Sequence, residues 1–247
     1  MSITKSSVLF LVAIGSFVAM TSFARAISLH QIDDFQGGDA QGWQGAVGGV
    51  LTDVGPEGIG DHSLLVSTTG FPAGVNSRLL AYHGGSSTPI ATHWTGDWSA
   101  AGVRQIAIDA LNPNPFTLTI WLGIAGPAGP GGSGSNDAHV TRVSVTLPPD
   151  EEWHPVEFRV LADDFVTWGA TGSPTAALAD VYQFRILHSP AQEWRGALGE
   201  ASMLLDNIRP IPEPGSTALL CALFVVPWRA RRMRRALRSF RPVSIHS

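Results

Sequence analysis

The chain of 247 residues has one cysteine, Cys221, and it lies in an apolar stretch near the C-terminus. No intrachain disulfide can form, and no Cys/His set has the spacing of a zinc finger. Lysine is almost missing as well: Lys5 is the only one, and every other basic residue is an arginine. Residues 27–211 hold seven arginines against 19 Asp and Glu, a balance of −12 that the whole-chain value of −4 conceals. Such a region lacks the basic footprint that a polyphosphate backbone requires, which excludes nucleic acid as its partner. No long stretch repeats every 3.6 residues, which argues against a helical bundle. Nor is there a G-x-S-x-G elbow, an H-E-x-x-H pair or a phosphate loop. A glycosidase needs two carboxylates at a set separation, and 19 acids without a motif single out no pair. The expectation is a non-catalytic carbohydrate-binding or polysaccharide-associated protein. The alternatives are a secreted polysaccharide-degrading enzyme or a structural surface protein without a small ligand. The region between its ends is large enough to bury a core without covalent staples.

What is present begins at the ends. Residues 1–7 are polar with Lys5 as their only charge, residues 8–20 are almost wholly apolar, and Ala24-Arg25-Ala26 supplies a small-x-small pattern. This order reads as a secretory signal peptide over 1–26, exported by the Sec machinery and cut by signal peptidase. The apolar run is short for a hydrocarbon core of roughly 30 Å. At the other end, Ile211-Pro212-Glu213-Pro214-Gly215 leads into an apolar run ending at Trp228, and seven arginines follow between 229 and 241. Two prolines around a glutamate are incompatible with a helix interior, because each lacks an N–H donor. The arginine block favours the cytoplasmic side of a membrane. An apolar helix over 215–228 would thus be a temporary inner-membrane anchor.

These C-terminal residues resemble the PEP-CTERM sorting signal, with Pro212, Glu213 and Pro214 as the motif and 211–247 as the tail. The resemblance implies recognition by an exosortase, a membrane-embedded cysteine protease that removes the tail during export. It also implies a Gram-negative source that makes extracellular polysaccharide. The mature protein would then reside at the cell surface or outside the cell, part of a biofilm matrix.

The middle, 27–210, reads as one domain of short strands: 29–35, 63–68, 78–82, 105–111, 116–124, 139–147, 153–161, 181–188 and 203–209. Phe116, Leu118, Ile120 and Leu122 share one face of their segment, opposite Thr117, Thr119 and Trp121. Val143, Val145 and Leu147 oppose Arg142, Ser144 and Thr146, while Val156, Phe158 and Val160 oppose Glu157 and Arg159. Alternation of this kind puts one face in a core and one toward solvent, as in antiparallel sheets. The expected fold is all-β, an antiparallel sandwich or jelly roll. One helical turn is expected at 176–180, capped by Ser173 or Thr175. The glycine-rich 126–135 reads as a loop.

Scattered patches across this region, among them Asp33-Asp34-Phe35, Gly42-Trp43, Gly96-Asp97-Trp98-Ser99 and Leu205-Asp206-Asn207-Ile208, resemble the galactose-binding-like β-sandwich found in many carbohydrate-binding modules. That resemblance implies a structural calcium where the first and last strands meet, with Asp34 and Asp206 as ligands. Seven of the eight tryptophans lie in this domain. Most would fill a core, but alternation puts Trp121 opposite its strand's apolar residues. Arg142, Arg159 and Arg185 sit likewise on three other strands. If those strands share a sheet, an indole and three guanidinium groups form a face suited to an acidic extracellular polysaccharide. His93-Trp94 with Asp97 is the one compact polar-aromatic group besides.

Overall fold

The computed structural model describes residues 27–45, 50–70, 78–85, 93–127, 137–169 and 171–212. The signal segment, Glu213, Pro214 and the rest of the sorting tail lie outside the described residues. Among the described residues no helix is long and apolar enough to cross a membrane.

Among the described residues twelve strands follow in chain order: β1 (Gln44–Gly45), β2 (Val50–Gly55), β3 (Gly58–Ser67), β4 (Leu80–Gly84), β5 (Val103–Leu111), β6 (Leu118–Ala125), β7 (Ala138–Thr141), β8 (Val145–Leu147), β9 (Trp153–Arg159), β10 (Phe165–Thr167), β11 (Gln183–His188) and β12 (Ser202–Pro212). They build two antiparallel sheets. One runs β1-β4-β11-β6-β7-β10, with β8 also paired to β6; the other runs β2-β3-β12-β5-β9. The fold is the expected all-β sandwich. The one α-helix among the described residues, α1 (Pro174–Ala179), has Ser173 as its cap, whose side chain accepts the Ala176 N–H.

The faces follow the period-two pattern. Leu118, Ile120, Leu122, Phe184 and Ile186 point inward from the larger sheet and meet Leu64, Ile106, Ile108, Phe158, Met203 and Leu205 from the smaller one. Trp43, Trp94, Trp98 and Phe184 pack edge to face or tilted at one end of this core, with centroids 5.0 to 6.3 Å apart. Such geometries add to the area that the rings bury.

Several expected strands differ from the observed ones. Segment 29–35 makes only a bridge, Asp33 to Ile208, because Phe35 takes a left-handed turn (φ 56°) that ends any pairing. Segment 139–147 is broken into β7 and β8. The break at Arg142 and Val143 turns Val143 outward, 73% exposed, instead of into the core. Phe116 precedes β6 and is exposed too. β1, β2 and β10 carry too little alternation in their few residues to be read from sequence.

Candidate functional site

The outer face of the larger sheet is the place where an indole and an arginine were expected to meet solvent. Trp121 of β6 and Arg185 of β11 do share that face, since Leu187 and Arg185 lie opposite Trp121 and Gly123. The face is covered, however. After β11 the chain folds back over the sheet, and Trp194 lands on Gly123, where a Cβ would come within 2.8 Å of its ring. Trp121, Ala125, Ala138, Val140, Leu187 and Trp194 form a second apolar cluster beneath this strap. The Trp121 indole N–H donates to the Ser189 carbonyl at 2.9 Å, and the ring is only 8% exposed. Arg185 stacks on Trp194, 4.0 Å from its ring centre, and donates to Gln183 Oε1 and the Trp194 carbonyl. Burial brings its guanidinium down to about 10. Alternation placed both residues on the correct face, but that face is not solvent. Neither side chain is free to hold a sugar.

The other two arginines lie elsewhere. Arg159 belongs to β9 in the smaller sheet, and Arg142 to the turn after β7. The single four-residue face is thus corrected: the sequence positions split between two sheets. Arg142 and Arg159 nevertheless meet across the open edge of the sandwich. They line a cavity of about 310 Å³ together with Val143, Val145, Glu157 and Asp164. The Arg142 Nε donates to the Asp163 carbonyl at 2.7 Å. Arg159 Nε lies 3.7 Å from Asp164 Oδ2, with its side chain 65% exposed. The result is a shallow cleft with two guanidinium groups on an apolar floor.

A third place gathers acids around β12. Asp206 is buried at the bulge between Asp206 and Arg209. Its Oδ1 accepts the N–H of Asn207, which is itself left-handed at φ 49°. The Asn207 side chain donates to Asp109 Oδ2. Gln36 donates to the Asp34 carbonyl and the Asp61 carboxylate. Burial pushes Asp206 up to about 7, and the negative charges of Asp61, Asp109 and Asp34 add to this, while the Asn207 N–H opposes it. Asp34 and Asp206 thus stand in one neighbourhood, made of carboxylates and carbonyls.

His93 and Trp94 are neighbours in space as in sequence, but their shared polar partner is Asp33. Both the His93 ring and the Trp94 indole reach the Asp33 carboxylate. Asp97 instead accepts the Ala100 N–H within its own turn. The sequence did not link Asp33 to His83 or His93, since nothing local connects residues 50 or more positions apart.

No family model matches the chain, and no curated protein matches it. Solved structures do resemble it. An exo-β-agarase superposes with a TM-score of 0.50 and 12% identity over 75% of this chain. The likeness is one of fold. This chain spans only 25% of that agarase's length. A family 11 carbohydrate-binding module from Clostridium thermocellum, solved with a β-1,3-1,4-mixed-linked tetrasaccharide, gives 0.43 at 16% identity, covering 74% of this chain and 95% of the module. The CBM22-1 xylan-binding domain from Paenibacillus barcinonensis gives 0.40 at 14%, covering 77% and 99%.

Proposed function

We propose that the sandwich is a non-catalytic module that associates with acidic extracellular polysaccharide through the cleft between Arg142 and Arg159. The observation that carries this reading is the convergence of those two guanidinium groups on one cavity, in a domain where arginine is scarce. A guanidinium offers planar paired donors to a carboxylate or to neighbouring sugar oxygens. Val143 and Val145 give an apolar floor for the face of a sugar ring. The Asp163 carbonyl holds Arg142 and Asp164 lies beside Arg159, each through Nε, which leaves the ends of both forks toward the cleft. Both side chains are largely in water, so removing them costs about 0–1 kcal/mol of stability. Binding can therefore be tested without unfolding the domain.

Affinity electrophoresis in gels containing acidic or neutral polysaccharide is the direct assay. Retardation in the acidic gel, falling several-fold in the protein carrying both Arg142→Ala and Arg159→Ala, is the expected result. Equal mobility of the two proteins in every gel would overturn the reading.

Two further parts of the proposal concern the ends and the acidic pocket. The tail 211–247 is a sorting signal: exosortase recognises Pro212, Glu213 and Pro214 after Sec export and signal-peptide cleavage, with 215–228 as a transient anchor. Pro212 lies in β12, paired with Val103, so the motif begins within the last strand. A calcium ion, held by Asp34 and Asp206, joins the first segment to the last strand. The donors fit that ion, since calcium takes carboxylates and carbonyls from several segments. A divalent charge would also offset the crowding of Asp34, Asp61 and Asp109 around Asp206.

A further inference from the structure

Asp33, His83 and His93 come from separate parts of the chain, yet one ligand-capable atom of each lies within 4.8 Å of the others. We propose that these three side chains form a site for a zinc-class divalent ion. The proposal is independent of the polysaccharide reading.

Each donor is already held. The Asp33 backbone is pinned by reciprocal bonds with Ile208, 2.9 and 3.1 Å long. Its Oδ2 accepts indole N–H groups from Trp43 at 2.6 Å and Trp94 at 2.5 Å. Oδ1 faces His93 Nε2 at 2.8 Å. His83 sits on β4, 1% exposed, with Nε2 2.9 Å from the Gln41 carbonyl oxygen. A carbonyl only accepts, so Nε2 carries the proton and Nδ1 keeps the lone pair. Nδ1 is buried and has no hydrogen-bond partner. Gln41 Oε1, in the wall of the adjoining cavity, is buried and unpartnered as well.

A plain hydrogen-bonded trio would account for Asp33 and His93. It leaves the buried lone pair of His83 unexplained, and buried polar atoms without partners are rare in folded proteins. A cation supplies the missing partner. Two imidazoles and one carboxylate, with no thiolate, suit zinc and its late first-row neighbours, whereas calcium and magnesium take oxygen donors. The indole donors on Asp33 and the carbonyl on His83 are the outer contacts that orient such ligands. Gly42 is needed for this approach: at φ +86°, a Cβ there would come within 2.8 Å of His83 Nε2. To ligate through Nε2, His93 carries its proton on Nδ1 instead, so the ring stays neutral. A cavity of about 450 Å³, lined by Asp33, Asp39, Gln41, Gly42 and His93, opens beside the trio. Water or a small ligand can enter it and take the remaining coordination position.

The test uses the full chain, purified without a histidine tag and titrated with zinc chloride or cobalt chloride. Bound metal is counted after gel filtration, and cobalt is followed by its d–d absorption. The expected result is one ion per chain, tetrahedral cobalt bands that zinc abolishes, and a higher Tm with zinc. Affinity should fall at least about tenfold in His93→Ala. Asp33→Asn, which still accepts from both indoles, should weaken binding too, and Asp206→Asn should not. Folded wild-type protein that binds no zinc or cobalt would overturn the proposal. So would unchanged binding by both His93→Ala and Asp33→Asn.

Discussion

Trp194 determines what the outer face of the larger sheet can do. Its ring fills the space over Gly123 and carries the Arg185 guanidinium on its face. Replacing it with alanine removes a 2% exposed indole and opens a cavity in the second apolar cluster. The expected cost of Trp194→Ala is about 3–5 kcal/mol in denaturant unfolding. Arg159→Ala should cost under about 1 kcal/mol in the same assay. Comparable losses in the two variants would contradict this division between structural and ligand-facing residues. Trp121 shows why the cover was not legible beforehand. Its alternation revealed a face, but residues 189–197, which hide that face, have no periodicity. The Asp33–His83–His93 trio was illegible for a different reason: its spacing exists only after the sandwich folds.

Among the elements, the long alternating strands were the most readable. β6, β9 and β11 place their apolar residues inward because period two leaves no other register with a buried face. The short ones were not readable, since two or three residues cannot display a period. Segment 29–35 reads as a full strand in the sequence, and it makes one bridge to the last strand, at Asp33 and Ile208. That bridge brings the Asp34 charge into the neighbourhood of Asp206. If calcium joins them, adding calcium chloride to metal-free protein should raise the Tm of the wild type and leave that of Asp206→Ala unchanged. A ligand present at a hundred times its Kd contributes roughly 2.7 kcal/mol, a shift of several degrees. A calcium response equal in both proteins, or none in either, would remove the ion from the account.

The whole molecule divides into a strongly acidic sandwich and a tail whose positive charge lies beyond Trp228. That asymmetry underlies the sorting proposal. Mass spectrometry of protein recovered from outside the cell should find the residues after the Pro-Glu-Pro motif missing; recovery of intact Ser247 would contradict removal of the tail. The central claim is that the Arg142–Arg159 cleft holds acidic polysaccharide, and hydrogen–deuterium exchange of the protein with and without that polymer tests it most directly. Slower exchange confined to 141–147 and 157–164 is the predicted result. Protection centred on 121, 185 and 194, or no protection anywhere, would contradict it.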